Sequence, residues 1–415
     1  MIYAADAVAG DATQELTARL REATRRDQPL RLPAGVFPTR GLDLPDGAQL
    51  IGAGARTVLR LIGPGPLLSC AGGRRVTLEA LTLDGADQFI APQTGLVDFR
   101  DVGEVLILGC AIRRSATRGV NLQRCGGHVA KNAIEACREA AYVSLDGLGV
   151  DIDGNHLRGC GDNGVKVWTT VAGRYEGSRI RNNTIEDIAA RSGGTGQNGN
   201  GVSIWGSAGV TVENNRISRC AYTAVRNNAG HGVVVTGNTC RGFGEKAMYA
   251  EFGARASTFR NNHIEDAGGG IAVANADKGT DGATIAGNTI VNLRETRPDR
   301  EFGPAMLWRT GVLAEKNAEI IGNTIVGPAW IGVALGGWRE NLRAEGNTIA
   351  GADYGVVFAT GEGVGEGVIA RNKISGARKA AIAATAGPAF LPGDVAQPGA
   401  AAKYPRLTVE GNSVE

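Results

Sequence analysis

The sequence predicts an all-β chain: a single-stranded, right-handed parallel β-helix of about 13 coils, closed at its N-terminus by a capping helix. Three observations predict it. An Asn-x-Ile step returns roughly every 25 residues, a Gly-Val step follows each one, and the composition pairs 63 Gly with only 5% aromatics. Many short strands joined by tight turns need such a composition, and a helical bundle does not.

The first element is a helix over Thr13 to Arg26, with Leu16, Leu20 and Ala23 on one face and a cap at Asp11 or Thr13. Residues 1–65 form the N-terminal cap, because the open end of a solenoid must be covered. Residues 66–415 form the β-helix. Its ruler is the Asn at positions 132, 155, 183, 215, 238, 262, 288, 323, 347, 372 and 412. Asn suits the turn before a strand, and its amide can bond the copies in neighbouring coils. Wider intervals mark loop insertions near 169–178, 191–200, 292–309 and 386–406.

The chain carries 44 basic and 42 acidic residues, spread evenly, so no basic stripe invites a nucleic acid. Seven Cys without a CxxC pair, and four scattered His, fit neither a disulfide framework nor a zinc site. Cys137, Cys160 and Cys220 each follow the slot Ile or Leu by three residues and read as a core column, the alternative being a Cys137 to Cys160 disulfide. No apolar run has membrane-spanning length, and the N-terminus lacks the pattern of a secretory signal.

The opening LRLPAGVF and LDLPDGAQLIGAG, with the Asn coils, resemble the pectin-lyase-like superfamily of parallel β-helices. More narrowly, RNNAGHGVVVTGNTCRGFGEKAMYAEF is similar to an uncharacterised family of bacterial repetitive proteins exported by the twin-arginine route. That resemblance implies a periplasmic or secreted protein. It leaves room for an unidentified cofactor, though no residue pattern here requires one, and no metal is expected.

Chemistry is expected on the outward positions of the Gly-Val strands. One column reads Asn121, Ser144, Lys166, Ser203, Arg226, Tyr249 and then small apolar residues; the other reads Gln123, Asp146, Trp168, Trp205, Asn228, Glu251, Ala274, Glu315. Trp168 and Trp205 can stack on sugar rings. The catalytic candidates are Tyr249 and Glu251 for proton transfer, with Arg226 and Lys166 holding a carboxylate. Substrate contacts are expected from Trp168, Trp205, Asn228, Asp146, Asn121, Gln123, Ser203, Lys246 and His231. Gly230-His231-Gly232 echoes the Gly-His-Gly of polygalacturonases, whose companion signatures are absent.

The expected partner is therefore an acidic polysaccharide or oligosaccharide, acted on by β-elimination or C5-epimerisation. A glycoside hydrolase is the alternative, using Glu251 with a loop carboxylate such as Glu245, Asp299 or Glu301, because stacking separates Glu251 and Asp146 by four coils. A non-catalytic glycan-binding or envelope protein is the third reading.

Overall fold

The computed structural model describes residues 2–3, 10–194, 196–294, 309–327, 329–361 and 365–415. Asp299 and Glu301, with most of the 292–309 insertion, lie outside the described residues. The chain is a parallel β-solenoid of about 14 turns with one N-terminal helix. It divides into two compact units, Met1–Thr211 and Val212–Glu415.

In the first unit the helix spans Thr13–Arg25 and buries Leu16, Leu20 and Ala23. Asp11 Oδ1 accepts the Thr13 N–H at 3.0 Å, satisfying one free donor of the first turn. Parallel pairing already runs from Ile2–Tyr3 to Leu30–Arg31 and on to Gln49–Ile51, in coils that lack the Asn step. Each later coil contributes three strands. Ala133–Glu135, Ala140–Leu145 and Val150–Asp153 form one coil and pair in parallel with His156–Arg158, Asn163–Trp168 and Arg179–Arg181 of the next.

The Asn occupies the sharp corner between the third strand of one coil and the first strand of the next. The left-handed residue is the one before it: Lys131 has φ 56°, Gly154 63° and Asn182 55°. This explains why Gly or Asn precedes the ruler residue. Asn132 Nδ2 donates to Asn155 Oδ1 at 2.9 Å and to the Ile107 carbonyl at 2.8 Å, while its backbone N–H reaches Asn155 Oδ1 at 3.0 Å. The ladder repeats in the second unit from Asn215 through Asn238, Asn262, Asn288, Asn323, Asn347 and Asn372 to Asn412. Buried amides are thereby fully bonded, which removes the penalty of burying them.

Val120, Leu122, Val165 and Val167 point inward and are fully buried, as the alternation requires. The seven cysteines are all free and buried, so Cys137 and Cys160 are stacked core thiols, not a disulfide. At the C-terminus the 386–406 loop closes the last coil. Ala389–Phe390 pairs antiparallel with the strand Ala380–Ala386, and the Asp394 carboxylate takes the N–H groups of Ala381 and Ile382.

Candidate functional site

Most of the outward column lies in the expected register. Val143 pairs with Lys166 and Lys166 with Ser203 in the first unit; Arg226 pairs with Tyr249, and Tyr249 with Ala272, in the second. One coil is shifted by a residue. Tyr142, not Val143, takes the inward position opposite Val120 and Val165, so Val143 faces out and Ser144 faces in. A one-residue slip exchanges the two faces of a strand. Asp146 consequently leaves the column. It sits just past the strand with φ 52° and holds Thr170 N–H at 2.8 Å and Arg174 at 3.4 Å, fastening the 169–178 insertion.

In the first unit Asn121 is buried and committed: it donates to Asp98 Oδ1 at 2.6 Å and accepts from Arg118 at 2.8 Å. Asp98 belongs to the same column one coil earlier, where the missing Asn step hid the register. Gln123 is half-buried. The Lys166 ammonium bonds Asn198 Oδ1 at 3.4 Å and stands 4.8 Å from the Trp168 ring, and burial pushes its proton affinity down. Trp168 and Trp205 lie 6.4 Å apart at 48°, and Trp168 donates to the buried Ser203 at 3.3 Å. Trp205 remains 45% exposed, so the 191–200 insertion does not bury it.

The second unit gathers the charged candidates. Arg226 donates from Nε to Glu251 at 2.7 Å and from a terminal nitrogen to Glu245 at 2.8 Å. Lys246 bonds the other Glu245 oxygen at 3.2 Å and stands 4.2 Å from the Tyr249 ring; the Arg226 guanidinium is 5.0 Å from the same ring. Arg226, Lys246, Tyr249 and Glu251 are each at most 5% exposed. Glu245, with 12% of its side chain exposed, is the network's opening to solvent. Two cations balance two anions, which makes burial of all four tolerable.

The surroundings drive the two carboxyls apart. Burial pushes Glu251 above the usual carboxylate range, against the pull of Arg226. Burial also acts on Glu245, but Lys246 and Arg226 together outweigh it and hold it below that range. Burial, with Glu251 and Glu245, drives the Tyr249 phenol well above its ordinary value. Glu245 and Lys246 reach this place through a register shift between Phe243 and Lys246, a bulge that periodic counting passes over.

Asn228 pairs with Glu251 along the column and leaves a buried Oδ1 without a partner among the described residues. His231 lies just before the third strand of its coil, Val234–Thr236, bridged to Arg255, whereas Tyr249 and Glu251 face Arg226 and Asn228 of the second strand. Beyond Tyr249 the outward positions are not bare scaffold. Ala272, Leu313, Ala334, Val357 and Ala383 form an apolar cluster outside the coil, packed by Trp330, Tyr354 and Phe390.

A family model for the right-handed β-helix region matches residues 171–296. The chain is similar to the catalytic unit of a GH87 α-1,3-glucanase from Streptomyces thermodiastaticus strain HF3-3, at 15% identity and a TM-score of 0.52, covering 99% of this chain and 68% of that one. It is also similar to the A-module of a mannuronan C-5 epimerase from Azotobacter vinelandii (16% identity, TM-score 0.45, 99% and 96% covered). A third likeness is PfbA, a surface adhesin of Streptococcus pneumoniae (13% identity, TM-score 0.41, 94% of each chain). No curated protein matches the sequence. The solenoid has the right-handed parallel β-helix fold.

Proposed function

We propose that this protein is a polysaccharide-acting enzyme that cleaves glycosidic bonds with two carboxyls of its second unit, Glu251 as the acid and Glu245 as the base or nucleophile. The observation that supports it is one guanidinium holding both groups while their environments separate their proton affinities. Contacts of 2.7 and 2.8 Å to one planar guanidinium keep the bonded oxygens within about 8 Å of each other, below the ~9.5 Å upper limit of glycosidase pairs. Tyr249 and Lys246 wall the pair, and Glu245 opens it to solvent. An extracytoplasmic location, which the sequence resemblance implies, suits such a substrate.

β-Elimination or epimerisation of an acidic sugar fits this geometry less well. Arg226 is occupied by two protein carboxylates, and a buried Tyr249 with a raised proton affinity resists becoming a base. Glycan contact without catalysis has its own support in the exposed Trp205 beside Trp168. Incubation with a panel of neutral and uronate polysaccharides separates the three. Hydrolysis releases reducing ends at a rate that Glu251→Gln and Glu245→Gln each cut by ~10²–10⁴-fold; elimination yields unsaturated ends; a pure binder yields neither and loses affinity with Trp205→Ala. Reducing-end release undiminished in both Gln variants would sink the hydrolytic reading.

A further inference from the structure

We infer that the first unit carries a separate binding site for a carboxylated sugar, in the cavity walled by Phe89, Arg138 and Arg191. The cavity measures about 770 Å³ and lies where the Asn-slot strands turn into the Gly-Val strands. That volume falls in the range of organic-ligand pockets, ~300–1,000 Å³, and far exceeds what a single small ion needs.

Most arginines on this flank are already matched. Arg60, Arg113 and Arg114 converge on the fully buried Asp84, Arg158 meets Glu186 and Asp187, and Arg118 meets Glu139. Arg138 and Arg191 differ. Both are exposed, both line the cavity, and among the described residues neither guanidinium has a hydrogen bond or an ion pair. Of the acids in the wall, Glu139 is engaged by Arg118, and the field of Asp87 acts on Arg114. Two free planar forks in one cavity select a carboxylate, which each can grip with two parallel bonds.

Phe89 supplies the second half of the recognition. Its ring is 68% exposed on the rim of the same cavity, and a bare phenyl face beside cations suits the apolar face of a pyranose. A ring carrying a carboxylate satisfies both features at once. Arg118–Gln123 and Ala140–Leu145 start at this cavity, beside Thr117 and Glu139, and the next strands of the same face, Asn163–Trp168 and Asn200–Trp205, end at Trp168 and Trp205. Six residues at ~3.3 Å separate the two places by roughly 20 Å, so a short acidic oligosaccharide laid along the strands passes Lys166 between them.

The choice of a sugar as the carrier of the carboxylate rests on the polysaccharide reading above, but the test does not need turnover. Calorimetric titration of the full chain uses trigalacturonate and the same trisaccharide with its carboxyls reduced to alcohols. The acidic form is expected to bind at least about tenfold tighter, and Arg138→Ala and Arg191→Ala each to weaken it about tenfold, the scale of one charge-assisted contact. Phe89→Ala weakens both forms. Equal binding of the two trisaccharides, absence of binding, or undiminished binding in both arginine variants overturns the inference. Hydrolysis lost in Glu251→Gln alongside any of those results leaves the catalytic reading standing, so the two failures are distinguishable.

Discussion

Replacing Arg226 by Met tests the second-unit network by leaving its shape nearly intact while removing its central charge. The guanidinium is the shared partner of Glu251 at 2.7 Å and Glu245 at 2.8 Å, and the three side chains are 6%, 3% and 12% exposed. Without it, Lys246 alone faces two carboxylates and the network passes from neutral to an excess negative charge. Breaking a buried ion pair from one side costs about 3–5 kcal/mol, and this is the loss expected in denaturant unfolding at pH 7. The loss must also depend on pH. Burial already raises Glu251 above its unfolded value. Removing Arg226 raises it further, so the folded variant binds a proton more readily than the unfolded chain. Such a penalty is complete above the folded value and fades as pH falls through it toward the unfolded one. The gap between Arg226→Met and the parent protein should therefore narrow from pH 7 to pH 5. A loss below about 1 kcal/mol, or an equal loss at both pH values, would refute the network as a buried, mutually compensating set.

Two further substitutions address the scaffold. Asn262→Ala removes four hydrogen bonds, two accepted from Asn238 and two donated to Val235 and Asn288, so about 4 kcal/mol should be lost in chemical unfolding; a change under 1 kcal/mol would mean that the ladder is ornamental. Gly332→Ala would set a methyl 2.5 Å from Ile349 Cγ2 and 2.6 Å from the Gly355 carbonyl. Backbone cannot yield as a side chain does, and overpacking of this kind costs about 1–3 kcal/mol, to be read as a lowered Tm.

Much of the solenoid is legible in the sequence because its strongest signals are local and repeated. Asn at a corner, usually Gly or Asn before it, and alternating Val or Ile recur along the regular coils, and each states a steric or hydrogen-bonding need of that position. The amphipathic stretch containing Leu16, Leu20 and Ala23 is equally local. Legibility ends where the period breaks. Tyr142 displaces its coil by one residue because a fully buried ring outcompetes Val143 for the interior, and Ser144 follows it inward to meet Glu176 at 2.9 Å. Asp98 precedes the first Asn of the ruler, so no register pointed to it.

The site was legible as a set of columns but not as a network. Column reading brought Arg226, Tyr249 and Glu251 together; it could not show that Arg226 is spent on two carboxylates or that a bulge brings Glu245 into contact. Nor does alternation reveal what covers an outward face. Ala272, Leu313 and Val357 pack beneath Trp330, Tyr354 and Phe390, residues of a turn, a strand start and the C-terminal loop whose contacts are long-range. Arg138 and Arg191 escaped for the opposite reason: they occupy corners, outside every strand, and share a cavity only after the coils stack.

The pH dependence of kcat/KM on a cleaved polysaccharide tests the division of labour between Glu251 and Glu245 most directly. The account predicts a bell, with activity lost toward acid as Glu245 gains its proton and toward base as Glu251 surrenders its own, because one is held below and the other above the ordinary carboxylate range. Residual turnover in Glu251→Gln should lack the basic limb while keeping the acidic one. A basic limb that persists unchanged in Glu251→Gln would contradict the assignment.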